Sequence, residues 1–485
     1  MKKNTYEKNG ITLIALVITI VLLLILAGIS ISSLTNTGLF NKAKEAKFKT
    51  EVSSIKDDYE MYKIKQEIEN SKNINFGTLK NLLNIENDYN TKLIIENGEL
   101  TYIKDEVTEV EIKWLEELGI YETKNVIPIF TVEQFKKISS NEEVQIEQLD
   151  GRRFIFGSDS YYILQNDLNL NGTEDNPWNT ISSFNGTLNG QNFKISGLYV
   201  NSAEGSKGIF GTNYGTIEKL EIVDANISVK GSSGVICSVN EGEIKEVIAD
   251  GVIKTNTTGT GASTLGGICG NNNGTISNSY NHVHINGAYQ DFGGISGINY
   301  GIIEKCYNDG SIESGFGLGG IVGRNNGTVK LCINAGNIIV HGDYGSPYGG
   351  ISGHNKGKIL NCYNFGTIGT SGELGRYIGG ISGTNNEGAE IINCYSISNI
   401  YGQLIGGIVG MNSSKIENCW YVKRGNYSIQ HDCSTTEPVN SGEKTESEMQ
   451  SEDFANLLNQ GNEQEIWKQN AYINNGFPYL SWQLL

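Results

Sequence analysis

Five histidines, His282, His284, His341, His354 and His431, are the side chains best suited to metal or proton chemistry in this sequence. None lies in an H-E-x-x-H string, so a zinc-peptidase pair of helix-borne imidazoles with its glutamate base is not encoded. His282 and His284 are two residues apart and would share one strand face. No third ligand is evident beside them, which predicts surface histidines and no metal site. Cleavage of polysaccharides on β-helices uses clustered carboxylates, whereas Asp291, Asp309 and Asp343 here fall in turn-like segments. There is no G-x-S-x-G elbow and no phosphate-binding loop. The eight cysteines include no C-x-x-C, which argues against a thiolate zinc site. The expectation is a chain with no catalytic residue, no metal and no cofactor, and so not an enzyme.

The elements that would hold these residues follow from composition and period. Glycine makes up 61 of 485 residues, proline only five, and the formal net charge is −17. That acidity excludes a nucleic-acid partner, which needs a basic face. Collagen is excluded by the lack of a three-residue glycine period, and disorder by 38% hydrophobic residues with regularly placed isoleucine. Self-comparison over 200–422 finds eight copies of G-G-I-x-G-x-N-x-G-x-I-x-x-C-Y-N-x-G-x-I, recurring every 26–32 residues. Isoleucine holds one position in every copy: Ile209, Ile236, Ile268, Ile295, Ile321, Ile351, Ile381 and Ile408. Asparagine follows four residues later, at Asn213, Asn240, Asn272, Asn299, Asn325, Asn355, Asn385 and Asn412. If each copy is one coil of a solenoid, both sets stack at the inter-strand spacing of ~4.8 Å, and the amides hydrogen-bond along the axis. Cys306, Cys332, Cys362, Cys394 and Cys419 form a third ladder, at a position held by Leu220, Val247 and Ser279 in earlier copies. That exchange predicts buried free thiols, while the spacing also admits disulfides between neighbouring coils, with Cys237 and Cys269 a further candidate pair. Tyr280, Tyr307, Tyr363, Tyr395 and Trp420 follow the third-ladder position; facing out they could stack on sugars, and facing in they are core.

The repeat unit resembles the GLUG motif family, found on bacterial surface proteins and in immunoglobulin A peptidases, over roughly residues 160–422. The resemblance implies a binding or spacer module rather than a hydrolytic one. The fold class expected is mostly β: a parallel β-solenoid of about eight coils, right-handed by the general crossover preference, preceded by a long N-terminal transmembrane, pilin-like α-helix and a small α+β head. The N-terminal cap would span 126–200, the repeats 201–422 and a C-terminal cap 423–485, where Trp467 and Trp482 could plug the last coil.

At the other end, Ile11 to Ile31 contains no charge and is long enough to cross a bilayer as a helix. The basic leader 1–10, ending in Gly10 before Ile11, Thr12, Leu13 and Ile14, resembles the type IV prepilin processing site. The resemblance implies cut and N-methylation at Gly10–Ile11 by a prepilin peptidase. The family's glutamate at the fifth mature position is Ala15 here, which fits a minor pilin or an anchored protein better than a regular fibre subunit. Expected domains are then a transmembrane helix over 11–34, an amphipathic pilin-like helix over 35–70 with a Phe48, Val52, Ile55, Tyr59, Tyr62 seam, and a head over 71–125. The function expected is a non-enzymatic, pilin-like cell-surface protein presenting its solenoid for adhesion to a glycan or a host or matrix protein. It would be single-pass in the cell membrane with its C-terminal region extracellular, or incorporated with other pilins in a surface pilus. The alternatives are a minor pilin or pseudopilin of a pilus or secretion machine, and a carbohydrate-active β-helix enzyme.

Overall fold

The computed structural model describes residues 20–22, 38–68, 76–85, 88–96, 98–123, 126–202, 205–255, 264–287, 291–314, 316–341, 346–370, 375–425, 428–430 and 434–484. They divide into two compact units, Met1–Lys124 and Asn125–Leu485.

In the first unit the helix Gly38–Ile68 carries its apolar residues at intervals of three and four. Phe48, Val52, Ile55 and Tyr59 are buried against Leu79, Leu93, Ile95, Leu100 and Leu115. The strands Phe76–Thr78, Leu93–Glu96 and Glu99–Tyr102 pair antiparallel, and Tyr121–Glu122 joins parallel to the third. Helix Glu109–Glu117 begins at a capping box of Thr108 and Glu111 and ends beside Gly119, at φ 71°. The Lys56 ammonium donates to the free Leu118 carbonyl at 2.9 Å, a favourable place for a cation.

The expected fold class and location are corrected at the N-terminus. Of the apolar run 11–34 only Ile20–Leu22 lies among the described residues, and among those residues no helix is long and apolar enough to cross a membrane. Gly38–Ile68 is long enough but solvated by Lys, Asp and Glu on all but one stripe, and that stripe is covered by its own unit. The long apolar helix and the single-pass membrane location are therefore not supported.

The second unit is a parallel β-solenoid of about nine turns. One coil consists of five short strands, Phe292–Gly293, Ser296–Asn299, Ile302–Glu304, Tyr307–Asn308 and Ile312–Ser314. Each pairs in register with the coil above: Phe292 with Leu318, Ser296 with Val322, Ile303 with Val329, Tyr307 with Ile333 and Ile312 with Ile338. The ladder runs from Ile181–Phe184 to Ser428–Gln430, two strands that lack the repeat motif; the first keeps its register and the second pairs with a shift between Gly406 and Val409.

Glycine in the repeat is set largely by close approach. A Cβ on Gly294 would lie 2.3 Å from the Asn308 side chain, and one on Gly320 would lie 2.1 Å from the carbonyl oxygen of Gly350 in the next coil. The third corner is different: the residue before each cysteine position is left-handed in every coil, including Lys305 (φ 52°), Leu331 (58°), Asn361 (53°), Asn393 (55°) and Asn418 (52°). Asparagine tolerates that region better than leucine or lysine does. At the N-terminal end, helix Val132–Phe135 and the hairpin Glu143–Ile146/Arg152–Ile155 close the solenoid. An aromatic chain of Phe135, Trp178, Phe210, Phe184, Tyr162 and Phe156 fills that end, with neighbouring ring centroids 5.0–6.5 Å apart.

Candidate functional site

The residues that repeat most strictly lie inside the solenoid. All eight isoleucines from Ile209 to Ile408 are fully buried, each removing an aliphatic side chain from water at roughly 1.5–3 kcal/mol. All eight asparagines are equally buried. Asn213 donates from Nδ2 to Asn240 Oδ1, and the chain continues through Asn272, Asn299, Asn325, Asn355 and Asn385 to Asn412, every contact 2.7–2.9 Å. The last amide donates to the Thr436 carbonyl at 2.9 Å, so the ladder ends on backbone. A second amide ladder, Asn281, Asn308, Asn334 and Asn364, stands at the Tyr-Asn position of the repeat with contacts of 2.7–2.8 Å. It fills the space that the second glycine of each pair, Gly267, Gly294, Gly320 and Gly350, leaves open across the coil. Sequence reasoning missed this ladder, although the recurring C-Y-N triplet was its signal: cysteine in, tyrosine out, asparagine in.

Cys306, Cys332, Cys362, Cys394 and Cys419 are fully buried free thiols, as are Cys237 and Cys269, which face each other across one coil step. Cys362 Sγ accepts the Cys332 amide at 3.4 Å, and Cys394 Sγ accepts that of Cys362 at 3.4 Å. Burial pushes the thiols of Cys306, Cys362 and Cys419 well up. Burial pushes Cys332 and Cys394 up as well, but hydrogen bonds from the neighbouring thiols outweigh it and their net direction is down. Thiols with no exposure to water are out of reach of a substrate or a metal ion in solution.

The aromatic row points outward, and much of it is covered by the C-terminal segment 445–484. Tyr363 and Tyr395 stack with centroids 4.9 Å apart at an interplanar angle of 7°, and Trp467 lies over both. Met449, Phe454, Leu458, Phe477 and Leu480 complete this cluster. The left-handed corner asparagines hold the segment: Asn418 Nδ2 donates to the Leu457 carbonyl at 2.7 Å, and Asn361 Oδ1 accepts from Trp467 Nε1 at 3.1 Å. Farther down, Trp482 Nε1 donates to the Leu331 carbonyl at 3.0 Å and its ring meets Tyr280 at 6.4 Å. The segment thus runs back along one flank, with Trp467 and Trp482 on that flank and not at the last coil. Tyr280, at the far end of the row, is 38% exposed.

The remaining titratable groups pair between coils. His282 Nδ1 meets Asp309 at 2.6 Å. Glu313 sits between two imidazoles, 2.6 Å from His341 Nε2 and 3.7 Å from His284 Nε2, while Ser311 engages the other nitrogen of His284. The carboxylate occupies the space between the rings, and among the described residues no group of three His, Cys, Asp or Glu is arranged to hold a metal ion. Asp291 is buried and pairs with Arg324 at 2.9 Å; burial raises its carboxyl, and Arg324 and Lys356 oppose that. Beside it, His354 contacts Thr384 at 3.3 Å, and burial, then the Arg324 and Lys356 charges, lower it to about 4. His354 is therefore neutral at pH 7. Gly10, Ile11, Asp343 and His431 lie outside the described residues.

No family model matches the sequence, and no curated protein does. Among solved structures, the chain is similar to the crystal structure of "a putative immunoglobulin A1 protease" from Bacteroides ovatus, with 18% identity over 73% of this chain and 92% of that one, at a TM-score of 0.37. At that score the two chains superpose too loosely for the likeness to say anything about activity.

Proposed function

We propose that this chain is a non-enzymatic interaction scaffold: a β-solenoid that offers its outer rows of side chains to a glycan or an extracellular matrix-type protein. One observation carries the reading. The polar groups that recur from coil to coil are satisfied by their own neighbours, amide to amide inside and lysine to carboxylate outside, as in Lys330–Glu304 at 2.6 Å and Lys358–Glu390 at 3.0 Å. A catalytic site needs polar groups aimed at an absent substrate, whereas these are aimed at each other and build a rod. The resemblance of the repeats to GLUG modules points the same way, and the non-repeating outward positions are where specificity would reside.

The test is binding of the full chain to glycan and matrix-protein arrays, in parallel with incubation on polysaccharides and immunoglobulin A. Saturable binding without product release is expected; release of reducing sugar or of protein fragments would replace this reading with the enzymatic one. We also propose that Gly10–Ile11 is a processing junction. Amino-terminal sequencing of protein from its native source should then begin at Ile11, and a start at Met1 would remove the prepilin resemblance from the account.

A further inference from the structure

A solenoid normally has only nearest-neighbour coupling: each coil contacts the one above and the one below, and stability is close to a sum of local terms. The described part of this one departs from that rule most extensively along its C-terminal segment. The C-terminal segment touches the coil of Asn418 through Leu457, that of Asn361 through Trp467, and those of Leu331 and Tyr280 through Trp482. These contacts join residues from 39 positions apart (Asn418 and Leu457) to 202 apart (Tyr280 and Trp482, 482 − 280), across several coil steps. The aromatic row and the segment are matched in extent. The same outward position is Ile248 one coil before Tyr280 and Glu221 one coil earlier, and Glu221 pairs with Lys194 at 2.8 Å on the coil beyond. The apolar flank therefore fades where the covering segment ends.

We infer that residues 445–484 act as an intramolecular clamp that makes the coils from Tyr280 to Trp420 open as one cooperative block, while the coils before Thr255 open independently. The physical basis is that no coil under the clamp can separate from its neighbour without tearing the segment from its whole run, whereas coils outside it need break only one interface. Docking is also possible only once every coil of the block is in place, so the clamp reports completion of the stack.

Hydrogen exchange followed by mass spectrometry on the full chain tests this directly. In the wild-type chain, peptides from 302–341, 352–370 and 378–422 should exchange at a common rate. Trp467→Ala should raise all three by a shared factor of about tenfold or more, and leave 181–250 unchanged. Trp482→Ala, which removes only the far contact, should release the peptides around 302–341 and spare those near 418; Tyr472→Ala, at a side chain 97% exposed, should change nothing. If Trp467→Ala accelerates only 445–484 and the coil directly beneath it, the clamp does not couple the coils. Should Trp467→Ala fail to fold, the Trp482→Ala pattern decides: uniform acceleration along the entire solenoid, or none beyond 475–484, overturns the inference.

Discussion

The inside of the coils and the flank beneath the C-terminal segment are both ladders, yet they are built on opposite principles. Inside, like stacks on like: Ile321 on Ile351, Asn325 on Asn355, Cys332 on Cys362. On the flank, Tyr280, Tyr307, Ile333, Tyr363, Tyr395 and Trp420 form a mixed row, and Trp467 and Trp482 come from a segment that repeats nothing. An interior position sees only its copies in the neighbouring coils, so one residue type serves every coil. A flank position also meets a segment that does not repeat, so the tyrosine row is broken by Ile333 and Trp420. Strictness of repetition here marks what neighbouring coils require of one another, and departure from it marks contact with something outside the repeat.

The largest way to break the comparison is a charge inside the amide ladder. Asn325→Asp places a carboxylate against Asn355 Oδ1 in a site with no exposure, so the destabilisation should be on the order of 4 kcal/mol, read from the denaturant midpoint. A surface change such as Asn326→Asp should stay within about 0.5 kcal/mol, and equal effects would mean the ladder is not buried as described. Next comes Gly320→Ala, whose Cβ would meet the Gly350 carbonyl at 2.1 Å and Asn334 at 2.2 Å; a cost of roughly 3 kcal/mol is expected. Gly388→Ala, at φ 83° with open space around it, should cost only about 1 kcal/mol.

A smaller effect separates the outer face from the interior by pH. His354 is lowered to about 4 in the folded chain and stands near its ordinary value, 6.5, when unfolded. Between those values the unfolded chain binds the extra proton, so this contribution is complete above pH 6.5 and is lost as pH falls towards 4. Allowing for partial exposure, the loss should be about 2 kcal/mol. Melting temperature against pH for wild type and His354→Gln measures it, and parallel curves would assign the acid sensitivity to other groups. The smallest effect is a gain. Lys305→Asn puts the residue used at 361, 393 and 418 into a left-handed corner and should stabilise by about 0.5 kcal/mol; a loss would show that the lysine stem packs there.

Much of the interior was readable because stacking imposes identity. The recurrence of Ile295 and Cys306 at fixed offsets placed both inward without coordinates, that of Asn299 marked a row of stacked amides, and the exchange of cysteine for Leu220 and Val247 marked its site as apolar. The second amide ladder recurs in only four coils, between Ala249 and Ser396, and it was hidden behind tyrosines that drew attention as a candidate sugar platform. The pairing of Glu313 with His284 and His341 was not readable, because the three come from different coils and share no motif. The N-terminal run misled for the converse reason: a strong hydropathy signal implied an element that the described residues do not contain.

Sequence alone determined that this protein would be a stack of parallel coils and which residues would line its axis, because a coil that contacts copies of itself leaves the same chemical mark in every copy. Only the tertiary structure decided where the last forty residues go and what becomes of the outward aromatic row. Those contacts join unlike segments far apart in the chain, each made once, and a contact made once has no period to betray it.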